Sequence, residues 1–273
     1  MGDQTPIAWT DATWNPVVGC SKVSAGCQHC YAEALTRRFH RPGFQPWTAP
    51  HAVHNVALHP ERLDRPRHWR RPRRVFVNSM SDLFHERVPD VFLAQVWAVM
   101  ADTPHHTYQV LTKRPERMRD WVCRLAPDPL PNVWLGTSVE QQRWVDVRVG
   151  ALLETPAAIR FLSCEPLLGP LDLSAFAPFS GECFCQERSD GCRPRQSPDC
   201  PTVGVDWVIV GGESGPGARP MDPAWVRDLR DQCQAAGVPF FFKQWGGSRP
   251  GGPAELDGRV CQAWPRPLAS RVS

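Results

Sequence analysis

The sequence predicts an α/β fold built on a parallel sheet, closed into a full or partial (β/α) barrel, with a small cysteine-rich insertion. Three observations carry this. Short runs rich in β-branched and aromatic residues recur from Arg74 onward, each is followed by a stretch with helical spacing, and each ends in polar residues capable of chemistry. Strands alternating with helices make βαβ units, and in parallel sheets the carboxyl ends of the strands carry the site. A doubly wound open sheet satisfies the same periodicity and stays open as the alternative.

The first unit begins near Asn15 in "TWNPVVG", just ahead of a cluster of cysteines. "RVFVNSMSD" then ends in Asn78, Ser79, Ser81 and Asp82, and "VPDVFLAQVWAVMADT" follows as a helix. "TYQVLTKRP" ends in Thr112, Lys113 and Arg114 before the helix "ERMRDWVCRL". "NVWLGTSVE" ends in Thr137, Ser138 and Glu140, and "AIRFLSCEP" in Ser163, Cys164 and Glu165. "DWVIVGGESG" ends in Gly211, Gly212, Glu213 and Ser214, with "DPAWVRDLRDQCQAAG" after it, and "PFFFKQWGG" closes the series at Lys243 and Gln244. Any one of these serines would serve merely to cap a helix. Their repetition at one end of the sheet marks a convergent pocket.

The barrel is expected over residues 1–246, interrupted at 180–206, with a Pro- and Gly-rich tail over 247–273. The interruption has no apolar core of its own but carries Cys183, Cys185, Cys192 and Cys200, four thiols that would close one structural zinc site. No run of apolar residues is long enough to span a membrane, and the first residues lack a secretory pattern. The expected compartment is the cytoplasm, where eleven cysteines read as metal ligands or buried thiols rather than disulfides. A net charge of +3 says little about partners. Its distribution says more: His59 to Arg74 holds seven arginines against two acids, with Trp69 among them. This is either a solvated face or a phosphate-binding patch in which Arg70, Arg71, Arg73 and Arg74 contact nucleic acid and Trp69 stacks on a base.

Cys20, Cys27 and Cys30 fall within eleven residues, ahead of a helical pattern. Disulfides need an even number of thiols and a closed zinc site needs four ligands, so three imply an open site or a distant fourth ligand. Three thiolates can hold three irons of a 4Fe–4S cube and leave the fourth iron free to be chelated by S-adenosylmethionine. Zinc is the rival, completed by His29 or by one of the distant thiols.

With the C-x6-C-x2-C loop, the stretches "FVNSMSDLFH", "LTKRPERM", "WLGTSVE", "FLSCEPLLGP", "VGGESGPGARPM" and "FFFKQWG" resemble a phage-associated, radical-SAM-like protein family, from Trp9 to Trp245. Within the radical SAM superfamily the likeness is nearest to spore photoproduct lyase and related enzymes of nucleic acids. The first cysteine spacing is three residues longer than the usual C-x3-C-x2-C.

The resemblance implies a radical SAM-type barrel in which reductive cleavage of S-adenosylmethionine yields a 5′-deoxyadenosyl radical. It implies an external electron donor and a nucleic-acid substrate, DNA favoured over RNA, for repair or modification. Ser79, Asp82, Lys113, Thr137, Ser138, Glu140, Glu165, Gly211 and Gly212 would then bind the cofactor, and Cys164, Glu213 and Lys243 would take catalytic roles. A zinc- or cluster-containing nucleic-acid-binding or redox-sensing protein without radical chemistry is the competing class.

Overall fold

The computed structural model describes residues 5–39, 43–176, 204–248 and 254–265. The chain enters through strand β1 (Ala12–Trp14) and pairs β2 (Val17–Val18) with β3 (Ala57–Leu58) in a small antiparallel ribbon. Helices α1 (Tyr31–Phe39) and α2 (Ala52–Asn55) lie between those two strands. The alternating pattern then appears in full: β4 (Arg74–Val77), α3 (Asp90–Asp102), β5 (Thr107–Thr112), α4 (Pro115–Leu125), β6 (Val133–Ser138), α5 (Gln142–Leu153) and β7 (Ile159–Cys164). It resumes with β8 (Trp207–Gly211), α6 (Pro223–Ala235) and β9 (Phe240–Gln244), and ends in the hairpin β10 (Glu255–Leu256) and β11 (Arg259–Val260).

Seven strands form one parallel sheet in the order β1-β4-β5-β6-β7-β8-β9. Each strand pairs with the one before it, so the order never reverses. A doubly wound sheet requires such a reversal, and its absence decides for the partial barrel. The alternation of side chains follows. Val75, Val77, Tyr108, Val110, Leu135, Leu162, Val208 and Phe242 pack against α3 to α6 in the main core. Phe76, Trp134, Phe161, Trp207, Ile209 and Phe241 form a second cluster on the opposite, helix-free face. Trp9 touches both Phe76 on β4 and Phe161 on β7, at centroid distances of 4.6 and 6.5 Å. Rings from strands three positions apart can meet at one tryptophan only because the sheet curls.

The described part of the tail extends the sheet. Residues after β11 run antiparallel along the open edge of β9, where the Phe242 amide donates to the Cys261 carbonyl and the Ala263 amide to the Phe240 carbonyl. That covers an edge otherwise free to pair. Trp264 stacks on Trp207 at 4.9 Å and completes the inner aromatic cluster, so the barrel unit extends to residue 265. Cys183, Cys185, Cys192 and Cys200, and with them the zinc expectation, lie outside the described residues. Among the described residues no helix is long and apolar enough to cross a membrane.

Candidate functional site

A cavity of about 230 Å³ opens at the carboxyl ends of the strands, far more than the roughly 10–15 Å³ one water needs. Cys20, Cys27 and Cys30 line one wall. Ser79, Lys113, Ser138, Glu165, Gly212, Glu213 and Lys243 line the rest, over an apolar floor of Ile7, Trp9, Phe76 and Leu111. The three thiols are free. Among the described residues no group of three His, Cys, Asp or Glu side chains is arranged to hold a single metal ion. A cubane cluster asks for something different, because each thiolate takes a separate iron.

The cysteine loop has few apolar contacts of its own and is held by buried ions. On the Cys20 side, Arg114 donates to Asp82 at 3.0 Å, to Glu86 at 2.7 Å and to the Ser21 carbonyl and hydroxyl, and it lies 3.7 Å from the Cys20 sulfur. His85 meets the Ser21 hydroxyl at 2.9 Å while its other ring nitrogen accepts from the Arg87 amide, so the proton sits on Nε2. Burial, with the Arg114 charge second, lowers the pKa of His85 and keeps it neutral. Gly19 precedes the first cysteine with φ +89°, and a Cβ there would overlap the Asn55 carbonyl, so only glycine fits.

On the Cys27 side, Glu140 accepts from the Gly26 amide at 3.2 Å and pairs with Arg148 at 3.0 Å; both side chains are almost wholly buried. Arg219 grips Glu213 through its side chain and its own amide, and reaches the Ala25 carbonyl at 2.9 Å. His29 adds a fourth contact to Glu213 at 2.9 Å. Burial pushes the Glu213 pKa up, but Arg219 and His29 outweigh it and hold the carboxyl at about 2. A depressed carboxyl contributes stability above its unfolded value, near 4.5, that is lost as pH falls through the folded value. Acid titration between about pH 4.5 and 2 is therefore expected to destabilise the wild type more than Glu213→Gln, read as the pH dependence of the urea midpoint.

Cys20 and Cys30 are protonated in the free protein. Burial pushes Cys20 up to about 12, Asp82 adding and Arg114 opposing. Burial also raises Cys30, against the amides of Glu33 and Ala32 at the start of α1. Ligation of a metal displaces such protons.

Several expected ligands are already committed. Asp82 accepts from Phe84 N, Thr112 Oγ1, Lys113 N and Arg114, and although burial opposes ionisation, these contacts lower its pKa. It positions the loop and has no free lone pair for a cofactor amine. Glu213 accepts four contacts of its own, and Glu140, committed to the Gly26 amide and Arg148, does not line the cavity. Thr137 points away from the cavity and donates to the Thr112 carbonyl. Cys164 is displaced furthest from its expected role. It alternates with Ser163, faces the helices and packs in the main core with Cys233 of α6, where burial raises it well above the ordinary thiol range. A thiol on that face cannot deliver a hydrogen atom into the cavity. Gly211 and Gly212 are small for the protein's own sake, since a Cβ would strike Glu165 in the first case and the Trp245 carbonyl in the second.

What remains available is specific. Lys243 pairs with Glu165 at 2.7 Å, off the hydrogen-bonding direction, while Trp9 and Ser163 donate to the other oxygen of Glu165. Ser79 shares its hydroxyl with Asn15. Lys113 has no ion-pair partner among the described residues. Asn78, in the left-handed region at φ 62°, is among the lining residues, but its Nδ2 is buried away from the cavity with no partner among the described residues.

The arginine stretch is elsewhere. Arg74 opens β4, forks onto Asp11 and covers Trp264, at the amino end of the sheet. Arg73 lies over Trp69, which is buried in the core and cannot stack on a base. Arg70 and Arg71 are exposed at that same far end.

Comparison with curated proteins and with solved structures gives no match. A family model described as "Protein of unknown function (DUF5131)" matches residues 4–265, and the chain belongs to that family.

Proposed function

We propose that Cys20, Cys27 and Cys30 hold a 4Fe–4S cluster with S-adenosylmethionine bound beside it, and that the protein is a radical SAM-like enzyme. The observation that carries this reading is the meeting of three free thiols with the Lys113 ammonium, which has no ion-pair partner among the described residues, in one cavity. Bound there, the pair would supply one-electron cleavage of the sulfonium and a carbon-centred radical. Lys113 Nζ, at the end of β5, suits a carboxylate, and Ser138 offers a hydroxyl at the end of the neighbouring strand. Arg114 beside Cys20 offsets the negative charge of a thiolate-ligated cluster. Glu165 and Lys243 face the remaining space and present one acceptor and one donor to a substrate. The apolar floor keeps water from that space.

The test is metal content and cofactor cleavage after anaerobic reconstitution. About four irons per chain, with 5′-deoxyadenosine formed on reduction, are expected for wild type. Both should be lost in Cys20→Ala/Cys27→Ala/Cys30→Ala. Zinc in place of iron, with no 5′-deoxyadenosine, would favour the binding or redox-sensing class and sink the proposal.

A nucleic-acid substrate remains part of the proposal on the resemblance; the arginine stretch adds nothing at the cavity mouth. Arg70→Ser/Arg71→Ser is accordingly expected to leave 5′-deoxyadenosine formation unchanged. If oligonucleotide binding falls and its salt dependence flattens in that variant, the far end of the barrel holds nucleic acid.

A further inference from the structure

We propose that the outward face of α1 is the docking surface for a small acidic electron-carrier protein, an inference that rests on reading the cysteine site as a reducible cluster. The helix starts at the residue after Cys30, and Tyr31 lines the cavity while nearly half of it faces solvent. Of its nine residues only Ala32 is buried. Surface helices ordinarily turn their apolar stripe inward. Here the stripe faces out: Tyr31, Leu35 and Phe39 are 46%, 37% and 68% exposed and recur every four residues on one side. The inward side is held by a small contact and a polar anchor instead: Ala32 packs with Trp47 and Met80, and Glu33 pairs with Lys22 and accepts from the Trp47 amide. Val23, on the cysteine loop and lining the cavity, is a further exposed apolar residue.

Charge identifies the occupant. Arg37 and Arg38 in the last turn are exposed and have no acidic partner among the described residues, and Arg38 lies 5.7 Å over the Phe39 ring. An apolar stripe with a basic rim matches an apolar patch with an acidic rim. Size fixes the kind of encounter. A nine-residue helix is about 13–14 Å long, which gives the small contact typical of transient redox partners rather than of permanent subunits. Single-stranded nucleic acid fits less well, because Leu35 at the centre offers no ring to stack on and both arginines sit at one end. In the encounter one electron leaves the reduced carrier and arrives at the cluster, with no bond made or broken.

The experiment titrates the reconstituted full chain with a flavodoxin, a small acidic flavin protein, at low salt and at about 0.5 M salt. Wild type is compared with Leu35→Asp and with Arg37→Glu/Arg38→Glu, all exposed positions, with circular dichroism confirming the fold. Expected are binding weakened about tenfold or more in both variants, loss of affinity in salt, and a matching fall in flavodoxin-driven 5′-deoxyadenosine. Dithionite-driven cleavage should stay at the wild-type rate. Affinity unchanged in both variants would overturn the docking face. So would an oligonucleotide of about 16 nucleotides that binds in place of the flavodoxin and is released by the arginine variant. Failure of wild type to cleave the cofactor with dithionite would instead overturn the proposed function, while the titration still reads docking.

Discussion

Replacing Arg114 with alanine is expected to lower stability by about 3–5 kcal/mol and to free the loop that carries Cys20. The guanidinium and the Asp82 carboxylate are both more than nine-tenths buried, and breaking such a pair strands one charge. The lower end of the range is the better expectation, because Asp82 keeps three donors: the amides of Phe84 and Lys113 and the Thr112 hydroxyl. Arg114 also holds Ser21 twice, through its carbonyl and its hydroxyl, so the loop loses its main anchor on that side. Lysine should not rescue it. A single ammonium cannot span Asp82, Glu86 and Ser21 as the planar fork does. Urea denaturation gives the stability, and the rate of Cys20 alkylation gives the loop. A loss under about 1 kcal/mol with unchanged alkylation would mean that this pair contributes no more than a surface ion pair.

The strands and their alternation with helices were legible because the physics that sets them is local; their order in the sheet was not, since a doubly wound sheet has the same periodicity. Runs such as "TYQVL" and "DWVIV" bury both faces of a parallel strand, and they became β5 and β8. The curl was not local. It shows in Trp9 reaching two strands far apart in the chain, a contact that no window of sequence displays.

The site divides the same way. The cysteines were legible from spacing. The direction of Cys164 was legible too, had the two-residue alternation been applied: Ile159, Phe161 and Ser163 share one face and Leu162 and Cys164 the other. Asp82 and Glu140 read as cofactor ligands and Glu213 as catalytic, yet their partners Arg114, Arg148 and Arg219 lie up to 32 residues away in the chain. Only the folded sheet shows that those carboxylates are occupied. Trp69 beside four arginines looked available to a base, and its burial against His106 is a tertiary fact.

Glu140→Ala separates stability from site geometry, and its expected cost is at the upper end, about 5 kcal/mol. Arg148 would keep only the Ser138 carbonyl and the Trp144 ring, and one of its nitrogens already lacks a partner. Burial lowers the Arg148 pKa against the pull of Glu140, so without Glu140 only the weaker attractions of Cys27 and Glu116 oppose the desolvation. Replacing both members, Glu140→Leu/Arg148→Met, removes the stranded charge and is expected to recover most of the lost stability. It cannot restore the acceptor for the Gly26 amide, which lies so close to the Glu140 side chain that a Cβ there would fit only tightly. The double variant should therefore unfold near the wild-type urea midpoint yet retain less iron after reconstitution. Equal recovery of stability and iron would show that Glu140 supports the core alone and that the Cys27 loop is set by Arg219 without it.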